Sequence, residues 1–249
     1  MANDTIPRRK FLLGAGLAGT AVATGLAAPP PAEAQTPQPA AAPVPASAPA
    51  LAAASASEGP NYLVLTASEA AFISAAADTM IPADNLSPSG TDCGIVTFVD
   101  RQLASAWGGG AKLYRSGPFH KGKPEHGYQL PLTPREFFIA GIAATNAWTR
   151  KTYKKDFDRL SPKEREEALK ALEAGKAELE SFNGKQFFEA LLTIVMEGFF
   201  ADPIYGGNKD KVAWKMIGFP GLPALYANLI EQYRDKPYLV EPQSIADFS

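Results

Sequence analysis

The chain of 249 residues contains one cysteine and two histidines. Cys93 alone can form no internal disulfide, no C-x-x-C redox pair and no C-x-x-C-H haem attachment site. His120 and His126 share a Gly/Pro-rich loop with only Glu125 as a neighbouring ligand type. Zinc sites draw three or four ligands from His, Cys, Asp or Glu, so this pair is a thin basis for a metal centre. There is no G-x-S-x-G elbow, and the lone cysteine has no histidine beside it at a helix start. Strand-like alternation of useful length is missing, and with it any strand that would introduce a phosphate-cradling glycine loop. Beyond the amino-terminal segment no stretch is long and apolar enough to span a bilayer. The chain therefore carries no recognisable catalytic constellation, which favours a binding or structural role.

What is present begins at the amino terminus. Arg8-Arg9-Lys10-Phe11-Leu12 precedes a weakly apolar Ala/Gly/Leu run, and Ala32-Glu33-Ala34 supplies a small-x-small cleavage pattern. This reads as a twin-arginine secretory signal over residues 1–34, with Pro7 standing where Ser or Thr is commoner. Gly14, Gly16 and Gly19 inside it fit G-x-G-x-x-G, but no strand precedes them and no βαβ unit follows, so the dinucleotide reading fails. Residues 35–60 are rich in Ala and Pro and have almost no large apolar side chains. They are expected to form a flexible, partly polyproline tether. Removing the signal takes three basic and two acidic groups with it, which leaves 21 basic against 24 acidic. A chain so near neutrality, without a basic stripe, is a poor partner for nucleic acid. Cys93 reads either as a buried thiol or as one half of an intermolecular bridge.

Residues 61–249 are expected to form a single irregular all-α domain with long ordered loops. Thr66-Ala-Ser-Glu69 is a capping box, followed by Phe72, Ile73, Ala76, Ala77 and Met80 at helical spacing, with a stop before Pro82. A second helix starts near Gly94 and carries Ile95, Phe98, Val99 and Leu103 to Trp107, where Gly108-Gly109-Gly110 stops it. Thr133-Pro134-Arg135-Glu136 opens a long third helix that continues toward Tyr153 and Phe157. Ser161-Pro162-Lys163-Glu164 opens a charged surface helix running toward Glu180, with Leu169, Leu172 and Leu179 as its narrow apolar stripe. Phe187, Phe188, Leu191, Leu192, Val195, Met196 and Phe199 make the most apolar segment, which predicts the central helix.

The segment from Gly198 to Gly221, GFFADPIYGGNKDKVAWKMIGFPG, has the composition of a binding loop. Asp202-Pro203 forces a turn, Gly206-Gly207 permit positive φ, and Asn208 can cap a short new helix bearing Val212, Trp214, Met216 and Ile217. Gly218 suits a left-handed stop, Phe219 can fold back onto the helix, and Pro220 prevents continuation. Composition alone leaves two readings open: aromatics that plug the core, or an interface patch, where Trp, Tyr and Phe are enriched.

This run, extended to Glu197, resembles the signature of the gluconate 2-dehydrogenase subunit 3 family, the small or gamma subunit. Relatives of that type serve membrane-associated fructose, sorbitol, glucose and 2-ketogluconate dehydrogenases. The likeness also takes in the twin-arginine start, LTASEAAFISAAADTMIPAD, GIVTFVDRQLASAWGGGAKLYRSGPF and LTPREFF, in that order. The resemblance implies a small subunit without a redox centre, exported with its partner through the twin-arginine translocase to the periplasm. The implied partner is a large FAD-containing subunit of the glucose-methanol-choline type, in which an iron–sulfur cluster is a further candidate group. A multihaem cytochrome c subunit with haem c would pass electrons onward at the periplasmic face of the inner membrane.

On this reading Arg8 and Arg9 serve export, and Phe200, Asp202, Tyr205, Trp214 and Phe219 form the face that docks on the flavin subunit. Cys93 becomes a candidate for an intersubunit disulfide. Catalytic, cofactor-binding and metal-binding residues are expected to be none. Two other classes stay in view: an enzyme using His120 or His126, and a free-standing exported binding protein sharing the fold.

Overall fold

The computed structural model describes residues 61–120, 122, 123, 126–180, 182–223 and 225–248. The expected signal with Arg8 and Arg9, and the expected tether, lie outside the described residues. Among the described residues the architecture is helical without a strand, and a lone bridge pairs Gly221 with Gln243. The α-helices are α1 (Ala67–Met80), α2 (Ile95–Ala104), α3 (Pro134–Tyr153), α4 (Pro162–Glu173), α5 (Gly184–Phe200) and α6 (Val212–Ile217).

Three of these helices start where short side chains replace the amide partners that a helix lacks in its first turn. Thr66, Thr133 and Ser161 each accept from the amide of a glutamate three residues on, and Glu69, Glu136 and Glu164 each return to the cap amide. A cap of this kind contributes about 1 kcal/mol. At α5 the same task falls to Asn183, whose Oδ1 accepts from the Gln186 amide.

Helix α5 is the centre of the domain and touches α2, α3, α4 and α6. Phe187, Leu191, Ile194, Val195 and Phe199 are buried along it. Phe187 joins an aromatic cluster with Phe72, Phe137, Phe138 and Phe182, and Phe72 also meets Phe157 at 4.7 Å between ring centroids. Gly141 of α3 makes this packing possible, since a Cβ there would lie 2.1 Å from the Phe187 ring. Truncating a buried phenylalanine to alanine in such a cluster costs about 3–5 kcal/mol.

A buried carboxylate fixes the entry to the domain. Asp100, on α2 and only 3% exposed, accepts from the amides of Leu63 (2.6 Å), Val64 (3.0 Å) and Leu65 (3.0 Å). The segment before α1 is thereby held to α2, although no secondary structure orders it.

Helix ends depart from the sequence expectations. Helix α2 stops at Ala104 rather than Trp107: Ser105 Oγ donates to the Gln102 carbonyl and accepts from the Trp107 amide, turning the chain early. Helix α3 ends at Tyr153 with Lys154 left-handed, so Phe157 reaches the core from a separate 3-10 turn. Helix α4 ends at Glu173, not near Glu180. The amides of Gly175, Lys176 and Ala177 turn back to Leu172 and Ala171, which leaves Leu179 outside the helix.

Candidate functional site

The segment after α5 folds into a corner whose backbones meet without room for side chains. A Cβ on Gly207 would lie 2.1 Å from the carbonyl oxygen of Gly198, and one on Gly94 would lie 2.3 Å from that of Gly206. Gly206 also has a φ of +104°, a region closed to ordinary side chains. The start of α2, the end of α5 and the corner loop are thus locked together by contact between main chains.

Past the glycines, Asn208, Asp210 and Lys211 have φ values of +44°, +58° and +57°. Left-handed backbone costs a non-glycine residue about 1–2 kcal/mol, so three within four residues must be held by other bonds. Asn208 supplies two of them. It is wholly buried, donates from Nδ2 to the Ala201 carbonyl (2.9 Å) and accepts at Oδ1 from the Ala213 amide (2.9 Å). Ala213 is the second residue of α6, so Asn208 does satisfy a first-turn amide of that helix, reaching it across the intervening 3-10 turn.

Lys211 is held by the carboxyl-terminal tail. Its Nζ donates to the Pro242 carbonyl (2.9 Å) and pairs with Asp247. The hydrogen bond from Lys211, aided by the Ser244 amide, holds the Asp247 carboxyl down at about 2. Asp202 adds a second clamp: Oδ1 accepts from the Ile204 amide (3.0 Å) and Oδ2 from the Ile245 amide (2.9 Å). Gln243 bonds across to Pro220 and Leu222.

The proposed docking residues occupy different stations in this corner. Trp214 is buried, only 6% exposed, and its Nε1 donates to the Phe200 carbonyl at 2.8 Å. Phe200 is half-buried against Phe199, and Asp202 is half-buried in its clamp. These three build the corner. Tyr205 at 50% and Phe219 at 39% exposure face solvent. Phe219 folds back on α6 as its sequence suggests, edge-on to Trp214 at 5.1 Å, after Gly218 stops the helix at φ +69°. Met216 and Ile217, expected as apolar residues of the short helix, are exposed as well, and so are Ile204, Leu239 and Val240, which the sequence reading missed. An open cleft of about 430 Å³ runs between Phe219, Lys215 and the tail residues Tyr238 to Pro242. The signal that could have found the tail is its density of Tyr, Leu, Ile and Val between prolines.

Cys93 lies in the core, with Sγ near the Pro88 carbonyl, and burial pushes its thiol up. A bridge to another chain would require the 88–94 loop to open. His120 and His126 are exposed, and no group of three metal-ligating side chains is present among the described residues. No helix among those residues is long and apolar enough to cross a membrane.

A helical domain whose most elaborately built surface is a loop corner belongs, by its construction, with proteins that work through contact. The family model described as gluconate 2-dehydrogenase subunit 3 matches residues 67–221, more than half of the chain, from the start of α1 to the end of the corner. The chain belongs to that family, which makes it an accessory subunit of an oxidoreductase complex. Comparison with curated proteins finds no match, and comparison with solved structures finds none.

Proposed function

We propose that this chain is the non-catalytic small subunit of a periplasmic FAD-dependent sugar or sugar-acid dehydrogenase of the glucose-methanol-choline type. It supports folding of the flavin subunit and carries it through the twin-arginine translocase, its own Arg8-Arg9 signal serving both chains. A multihaem cytochrome c completes the complex at the inner membrane. The observation that carries this reading is the family match across a corner that exposes Tyr205, Ile217 and Phe219 on a locked backbone. Exposed aromatic and aliphatic anchors on a rigid frame are what a protein interface uses, because little ordering entropy remains to be lost on docking.

The test is co-expression with a large flavoprotein subunit of that type from the same genome, followed by affinity recovery from the periplasm and measurement of flavin absorbance. Wild-type chain should bring flavin with it. The double variant Ile217→Ser/Phe219→Ser, assayed at a temperature where it is fully folded, should lose most of it, each anchor contributing on the order of 2 kcal/mol. Full recovery of flavin with that variant would remove the corner from the interface. Absence of flavin from the wild-type preparation would favour a free-standing exported binding protein.

A further inference from the structure

A second built feature runs along the exposed side of α5. Gln186, Glu189, Ala190, Thr193 and Glu197 recur every three or four residues and so share one stripe of that helix. The loop after α2 and the start of α3 lean toward the stripe and enclose a cavity of about 260 Å³. Its aromatic walls are Trp107, Tyr128 and Phe138. Tyr128 stacks on Phe137 at 4.1 Å with the rings nearly parallel, which fixes its plane, and its hydroxyl is buried without a hydrogen-bond partner. Trp107 is 44% exposed at the mouth.

The charges described here have one sign. Glu189 and Glu197 line the cavity, and among the described residues no lysine or arginine does. Among the described residues neither carboxylate has an ion-pair partner, unlike Glu166, Glu231 and Glu241 elsewhere on the surface. The apolar wall beside Glu197 withdraws water from it and pushes its carboxyl up. Three aromatic rings with two carboxylates at the rim form a receptacle for a flat cation. Ring faces attract cationic groups, and guanidinium is hydrated weakly enough to leave water for them. The volume falls just below the range of about 300–1,000 Å³ usual for small-molecule sites, which suits one inserted side chain better than a cofactor.

We propose that the Trp107–Tyr128–Phe138 cavity receives an arginine side chain presented by the flavin subunit, its guanidinium stacked on the aromatic rings and paired with Glu189 and Glu197. This rests on the docking reading above and gives it a second anchor, separate from Ile217 and Phe219. Arginine is enriched at interface hot spots, and a pocket bearing charge at its rim selects the partner as well as binding it.

The experiment uses the co-expressed complex with wild-type chain, with Glu189→Gln/Glu197→Gln, and with Trp107→Leu. Dissociation constants are measured at low and high salt. Loss of both carboxylates should weaken the complex by about tenfold and flatten its salt dependence, and Trp107→Leu should weaken it comparably with the salt dependence retained. An unchanged affinity and salt slope in the double glutamine variant would overturn the proposal. If wild-type chain forms no complex at all, the docking reading itself fails, and the cavity is then tested with N-acetyl-arginine amide and Trp107 fluorescence. Saturable quenching that the glutamine variant abolishes would support an arginine receptacle, and no saturable quenching would reject it.

Discussion

Asn208→Ala removes the side chain on which the corner depends, and its cost can be assembled from the structure. The Ala213 amide is wholly buried and would lose its acceptor, a penalty of about 1–3 kcal/mol. The Ala201 carbonyl is half-buried and can turn to water, so its loss is about 0.5–1.5 kcal/mol. Alanine at φ +44° adds about 1 kcal/mol, since it lacks the local bonding by which asparagine tolerates that region. The sum is about 4 kcal/mol, which for a domain of this size lowers the melting temperature by about 10 °C. Asn208→Gly removes the same two hydrogen bonds but relieves the backbone, and should recover about 1 kcal/mol. The assay is urea and thermal unfolding of the purified chain followed by tryptophan fluorescence. An alanine variant melting within about 3 °C of wild type would refute the account, as would a glycine variant no more stable than the alanine one. The amide meets both needs at once, Oδ1 accepting from Ala213 N–H and Nδ2 donating to Ala201 C=O.

Other outcomes follow from the same contacts. The Asp247 carboxyl is held at about 2 against an ordinary value of 3.8, a depressed folded-state value. Its contribution is therefore present above about pH 4 and lost as pH falls through 2, and hydrogen exchange at Ser244 and Ile245 should rise across that window before the core opens. Asp100→Ala leaves the amides of Leu63, Val64 and Leu65 without their acceptor. It should cost about 3–5 kcal/mol and open residues 61–66 to limited proteolysis. Gly207→Ala forces a Cβ against the Gly198 carbonyl, where only backbone can yield. It should destabilise the chain by more than about 3 kcal/mol in urea unfolding, and a neutral result would contradict the close approach.

Much of this fold is legible residue by residue, and the illegible parts have identifiable causes. Thr66, Thr133 and Ser161 mark their helix starts because a capping box acts within four residues and needs no tertiary context. Helix ends are harder. Ser105 ends α2 ahead of the glycine triplet, and the amides after Ala174 end α4 within a sequence still charged and helix-compatible. In both, a local hydrogen bond outweighs weak propensity. The corner's course from Asp202 to Gly218 is readable from its turn residues, whereas which aromatics face outward is not. Trp214 is drawn inside by a carbonyl fourteen residues earlier in the chain. Asp100 and the cavity between α5 and the loop after α2 depend on segments far apart in sequence, so no local pattern announces them.

The glycine lock has a consequence for how mutational tolerance in this family should be interpreted. At Gly94, Gly198 and Gly207 the obstacle to substitution lies inside the subunit: a neighbouring main chain at Gly94 and Gly207, and the Phe98 ring at Gly198, occupies the volume a side chain would fill. A saturation library selected only for soluble protein would already be empty at these positions. The same library selected for electron-transfer activity would look no emptier there, and intolerance at those codons carries no information about the partner. On the proposed docking face the informative columns are Tyr205 and Ile217, exposed side chains at which assembly rather than folding would set the limit. Subtracting the first selection from the second would therefore draw the outline of the interface without a structure of the complex.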